Sequence, residues 1–124
     1  MSNKTLQVMI TAGAEDPHKA RQGLEAALTA AAMGVEVHVF LTLRGAFWAE
    51  KRLKSDCYIP GCESIPALIV ELIALGVNLE TCSACAIHFT GSCETGPILI
   101  DGVKMGGLTT LTSRTIDGMP TITF

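Results

Sequence analysis

The stretch TCSAC, residues 81 to 85, sets Cys82 and Cys85 two residues apart, directly after a short strand-like run, VNLET. Thiols this close have three uses: they clamp a metal, close a redox disulfide, or carry sulfur as a persulfide. In each case the thiolate is the reacting species, so what surrounds the sulfur matters more than its presence. A strand that gives way to a helix at Cys82 would aim the first backbone N–H groups, and the positive end of the helix dipole, at that sulfur and favour its charged form. Cys85 then falls on the same side of the turn, in reach as a resolving thiol, a second carrier or a second ligand. The competing reading is that both are small buried hydrophobes, a common state of free cysteine.

The chain holds five cysteines. Cys57 and Cys62 bracket YIPG, a turn sequence that lets the two thiols face one another. They can form a disulfide, line a cavity, or join Cys82 and Cys85 in a four-thiolate site for zinc or an iron–sulfur cluster. Against the metal site stands the spacer between Cys57 and Cys62, which is looser than the paired spacers of a zinc ribbon. Cys93, in TGSCETG, reads as a loop thiol without a role. His18 opens a helix where it can orient an anion or tune a thiolate, although an exposed histidine is the commoner case there. His88 lies three residues beyond Cys85 and reaches it if that turn is helical. His38 alternates within a strand and reads as packed or at an edge. Trp48 and Tyr58 fall in one long loop, as an apolar lid over the cysteines or as an oligomer contact.

Strand and helix signals alternate along the chain. LQVMIT, residues 6 to 11, is a buried strand. EDPHKARQGLEAALTAAAMG is a helix capped by Asp16, opened by Pro17 and ended by Gly34, with Ala20, Leu24, Ala27, Leu28 and Ala31 on its apolar face. VEVHVFLTL is strand two, and a long loop follows with a helical turn around Phe47 to Lys54. SIPALIVELIALG is a second helix, from its Ser64 cap to Gly76, burying Ile65, Leu68, Ile69, Leu72 and Ile73. VNLETC is strand three. One or two helical turns at CSACAIHFTG, an extended ILIDGVKMGGL, a low-propensity helix at TTLTSRTIDG and a last strand at PTITF complete the order.

Short connections between alternating elements imply right-handed crossovers and a mainly parallel sheet covered on both faces. All strand-to-helix loops then emerge at the carboxyl edge of the sheet, where open α/β sheets carry their sites. That edge is expected to gather AGAEDPH, the Cys57 and Cys62 loop, and the Cys82 and Cys85 turn.

Composition narrows the function classes. At 124 residues the chain makes a single domain, 1–124. Hydrophobic residues are 48% and charged residues 17%, with a mean hydropathy of +0.40, more apolar surface than a small monomer hides; homo-oligomerisation is expected. A net charge of -3 and scattered lysines and arginines give no basic stripe for nucleic acid. There is no signal-peptide pattern at the N-terminus and no run long enough to span a membrane, which points to the cytoplasm. Neither a thioredoxin-type flank nor a phosphate-binding glycine loop is present, since TAGAED has one glycine and two acids.

In order and spacing, TAGAEDPHKA, AAMGVEVHVF, LRGAF, ALGVNLETCSAC, LIDGVKMGGL and the closing TITF resemble the DsrE/DsrF-like sulfur-relay proteins, the block GVNLETCSAC followed by DGVKMGGL being the most specific. The resemblance spans nearly the whole chain. It implies a flavodoxin-like or Rossmann-like α/β/α three-layer sandwich on a mainly parallel five-stranded sheet, and trimers or hexamers. It implies that Cys82 accepts and passes on sulfane sulfur as a persulfide with Cys85 as second thiol, that a donor or acceptor protein is the partner, and that no cofactor is needed beyond the sulfur. Two features depart from the family pattern: AIHFTGSCETG is longer and less basic than the usual continuation, and the Cys57 and Cys62 loop is not general to it. A thiolate metal-binding oligomer and a dithiol-disulfide oxidoreductase are the alternative functions.

Overall fold

The computed structural model describes residues 4–51, 64–89 and 98–124. Five strands, β1 (Thr5–Ile10), β2 (Glu36–Leu41), β3 (Asn78–Cys82), β4 (Lys104–Gly106) and β5 (Thr121–Thr123), form one sheet in the order β4-β3-β2-β1-β5, with every pair parallel. The helices are α1 (Pro17–Ala32), α2 (Ile65–Ala74), α3 (Ser83–Phe89) and α4 (Leu108–Ile116). The strands from β1 to β4 step in one direction across the sheet, whereas the connection through α4 returns from one edge to the other.

Local chemistry explains the helix limits. Asp16 accepts from Lys19 N at 3.1 Å and Pro17 fills the first turn of α1; Gly34, at φ +83°, turns the chain out of it. Ser64 caps α2 through Ala67 N at 3.2 Å, and Gly76, at φ +86°, ends it. Alternation along the strands gives the sheet two unlike faces. One presents Val8 and Ile10, Val37, Val39 and Leu41, and Leu79 to the buried stripes of α1 (Ala20, Leu24, Ala27) and α2 (Ile65, Leu68, Ile69, Leu72) in a single apolar cluster. Gly23 allows α1 this approach, since a β-carbon there would stand 3.0 Å from both Ile10 and Phe124.

The other face presents Gln7, His38, Phe40, Asn78, Glu80 and Cys82, and α4 lies over it. No residue of α4 is buried and β5 is exposed throughout. Polar contacts hold this layer. Gln7, fully buried, donates to the carbonyl of Leu111 at 3.4 Å and to the hydroxyls of Thr115 and Thr121 at 3.3 and 3.2 Å. Arg114 reaches from α4 to the Gln7 amide oxygen at 3.4 Å and pairs with the Glu80 carboxylate. Asn78 donates to Glu80 at 2.9 Å and to His38 Nδ1 at 2.8 Å, so the opposite His38 nitrogen, 3.0 Å from Glu36, carries the proton. His38 is thus a member of a polar network rather than a core or edge filler.

Of the turn expected around Phe47 to Lys54, residues 52–54 lie outside the described residues, and Phe47 to Ala49 are helical. A 3-10 helix begins earlier, at Leu43, and runs to Ala49. It starts with Leu43 at φ +52°, a left-handed conformation uncommon for leucine. Backbone bonds impose it: Thr42 N donates to Ile10 O at 3.0 Å, and Gly45 N donates to Thr11 O at 3.1 Å and to Thr42 O at 2.9 Å. Gly45 is required because a β-carbon there would collide with the Ile10 carbonyl.

Candidate functional site

The carboxyl edge gathers the described loops as the topology requires. Cys82 is the last residue of β3 and Cys85 lies in the first turn of α3. Cys82 is 9% exposed and Cys85 is half-buried; both thiols are free. Burial pushes the Cys82 thiol up, but the Cys85 N–H and S–H, the Ala84 N–H and the Thr42 hydroxyl donate to its sulfur and together outweigh that effect, so the thiol ionises below its ordinary value of 9.0. Cys82 thus stands at a strand-to-helix junction, with one donor, Thr42, contributed by the residue just past β2.

Two neighbours shape the flanks of this sulfur. Thr42 follows β2 directly; because Leu41 pairs with Thr81, Thr42 comes level with Cys82 on the same face, and its Oγ1 stands 3.7 Å from Cys85 Sγ. On the other side Cys82 pairs with Gly106 of β4. A side chain at that position would share the face with Cys82 at cross-strand distance. A β-carbon at Gly106 would also meet a Glu80 carboxylate oxygen at 2.6 Å, so glycine keeps this flank open.

The remaining sequence candidates separate clearly. His18 is exposed in the first turn of α1, at the same sheet edge, and His88 is exposed in the last turn of α3. Trp48 is neither a lid nor an oligomer contact: it is fully buried in the apolar cluster, its Nε1 donates to Ala12 O at 2.9 Å, and Phe47 meets it edge-on at 5.1 Å. An indole bonded to a carbonyl beneath the loops is a packing element. Cys57, Tyr58, Cys62 and Cys93 lie outside the described residues. The four-thiolate alternative needs two of them; among the described residues no three metal-ligating side chains converge.

Sequence reading missed Thr42 and the pairing of buried Glu80 with the partly exposed Arg114. A period-two signal for Thr42 and Glu80 was present, since Asn78, Glu80 and Cys82 alternate in β3 and His38, Phe40 and Thr42 alternate in and just past β2. A shallow pocket of about 160 Å³, lined by Ala14, Glu15, Arg44 and Phe47, opens at the carboxyl edge. A roomier one of about 550 Å³, between Lys4, Ala30, Met33, Val35 and Pro120, lies at the opposite edge, away from the thiols. Among the described residues no helix is long and apolar enough to cross a membrane.

Comparison with known proteins covers the whole of this architecture. The profile of the DsrE/DsrF-like family matches residues 4–124. Among solved structures, the ychN protein from E. coli is 20% identical and superposes with a TM-score of 0.70, covering 99% of this chain and 100% of its own. A conserved protein of unknown function from Bacteroides thetaiotaomicron, BT1422, is 17% identical with a TM-score of 0.69, covering 98% of this chain and 96% of its own. At these identities the likeness is one of fold. Among curated proteins no sequence matches.

Proposed function

The chain belongs to the DsrE/DsrF-like family, and from that membership together with the Cys82 environment we propose that it is a sulfur-relay protein that carries sulfane sulfur as a persulfide on Cys82. What supports this reading is the placement of Cys82 at the end of β3 with Cys85 in the first turn of α3 and the Thr42 hydroxyl 3.7 Å from Cys85 Sγ, in surroundings that lower the Cys82 pKa. A group that must attack sulfur and later leave from it needs a stabilised thiolate in both steps.

The steps balance without an oxidant or a cofactor. The Cys82 thiolate attacks the outer sulfur of a donor persulfide; the donor S–S bond breaks, a new S–S bond forms on Cys82, and the donor departs as a thiolate. Cys85 can then attack the outer sulfur in turn. One S–S bond breaks and one forms, the thiol proton of Cys85 passes to the departing Cys82 sulfur, and the oxidation level of the transferred atom is unchanged. The donor or acceptor is a partner protein presenting its own cysteine near the exposed Leu43 and Ile87. Self-association of this apolar chain is supported by Leu108, Ile116 and Ile122, which α4 and β5 leave exposed.

The test is intact-mass spectrometry after incubation with polysulfide. Wild type should gain whole sulfur atoms, removable by reductant and mapped to Cys82 or Cys85, and Cys82→Ser should gain none. Full loading of Cys82→Ser would sink the assignment. Because the thiol is held down, alkylation of Cys82 should rise through a midpoint below pH 9.0, reactivity falling as acidification protonates the sulfur.

A further inference from the structure

Thr42 occupies a place that neither the strand pattern nor the thiol spacing requires. It is 5% exposed, its hydroxyl oxygen stands 3.7 Å from Cys85 Sγ, and the same hydroxyl is among the donors to Cys82. A hydroxyl has a single hydrogen to give and two lone pairs to receive with. Between two sulfurs it can serve only one as a full donor at a time, and it serves the charged one best.

We propose that Thr42 is a positioning residue for sulfur transfer, its hydroxyl hydrogen following the negative charge between Cys82 and Cys85 so that sulfur passes from one to the other without a bare thiolate. The inference rests on the reading of Cys82 as the sulfur-accepting thiol. Before loading, the Thr42 O–H points at the Cys82 thiolate while Cys85 holds its proton. Once Cys82 carries sulfur and Cys85 attacks, its proton passing to the departing Cys82 sulfur, rotation about the Cβ–Oγ1 bond moves the donor to Cys85 Sγ. No heavy atom moves, and no proton leaves Thr42.

The backbone around Thr42 suits this task. Its N–H is tied to Ile10 O and its carbonyl accepts from Gly45 N at 2.9 Å, so the loops after β1 and β2 hold it from both ends. The branched side chain has few χ1 choices. The left-handed turn at Leu43 sends the chain away immediately afterwards, leaving the hydroxyl as the last group that β2 offers to the thiol edge.

Thr42→Val keeps the shape and removes the donor; Thr42→Ser keeps the donor; Thr42→Ala removes it without adding bulk should valine disturb folding. With the thermal midpoint as a control for folding, Thr42→Val is expected to raise the pH midpoint of Cys82 alkylation by about one unit. It is also expected to slow appearance of polysulfide-derived sulfur on Cys85 by about tenfold, the rate equivalent of one such hydrogen bond. Thr42→Ser should restore both. A purely structural role would lower the thermal midpoint and leave the alkylation midpoint in place. Unmoved alkylation and unmoved sulfur partition in valine and alanine variants that load sulfur normally would overturn Thr42 alone. Wild-type protein that takes up no polysulfide sulfur would overturn the relay reading and the transfer role with it, while the alkylation midpoints still judge Thr42 as a donor.

Discussion

On one side of the sheet Val8, Val39, Leu41 and Leu79 meet α1 and α2 through hydrocarbon, whereas on the other Gln7 and Glu80 meet α4 through hydrogen bonds and an ion pair, with Asn78 bonded to Glu80 and His38 beside them. The apolar side is non-directional; its strength comes from area removed from water, and it tolerates repacking. The polar side is directional and permits one placement of α4, because a displaced Arg114 would leave the Glu80 carboxylate buried and uncompensated. The thiol pair belongs to the polar side, with Cys82 two residues beyond Glu80 on the same face. Bulk stability and fine positioning are thus assigned to opposite faces of one sheet, and the chemistry sits with positioning.

Substitutions can break or sharpen this contrast. The largest effect is expected from Leu24→Ala, which opens a cavity where the fully buried Leu24 packs α1 on the sheet and should cost about 3 kcal/mol in denaturant melts. A loss well under 1 kcal/mol would mean that the apolar face is not the main source of stability. Arg114→Met comes next, at about 2 kcal/mol, because Glu80 loses its counter-charge at a partly exposed pair. Adding Glu80→Gln to Arg114→Met should recover part of that loss, and strict additivity of the two changes would show that the pair is not coupled. The smallest effect belongs to Glu36→Gln. Glu36 sits at the solvent end of the network, its side chain 68% exposed, and its loss should stay within about 0.5 kcal/mol in the same melts.

Much of the fold was legible because it is written in local chemistry. The Asp16 and Ser64 caps and the Gly34 and Gly76 exits require only neighbouring residues, and each helix stops where its own turn chemistry directs. The junction of β3 with α3 at Cys82 was readable for the same reason. What was not readable depends on distant partners. The 3-10 helix begins at Leu43 rather than near Phe47 because the loops after β1 and β2 bond to each other, a fact that no window around Leu43 contains. Trp48 reads as surface aromatic in a loop, yet the acceptor that fixes it inside is the carbonyl of Ala12, from another loop. The partner that fixes Glu80 is Arg114, 34 positions on.

The return of the chain through α4 bears on the order in which the molecule assembles. The apolar face closes through neighbours in sequence, β1 with α1 and β2, while the polar face closes only when Gln7 finds Thr121, 114 residues away. Loop-closure entropy therefore places α4 and β5 late. An apolar surface left open for that interval would invite association between unfinished chains. Around Phe40, the amide, imidazole and carboxylate groups of this face hold water while it waits, so the same residues that fix α4 in the finished protein disfavour sticking of the unfinished one to its copies.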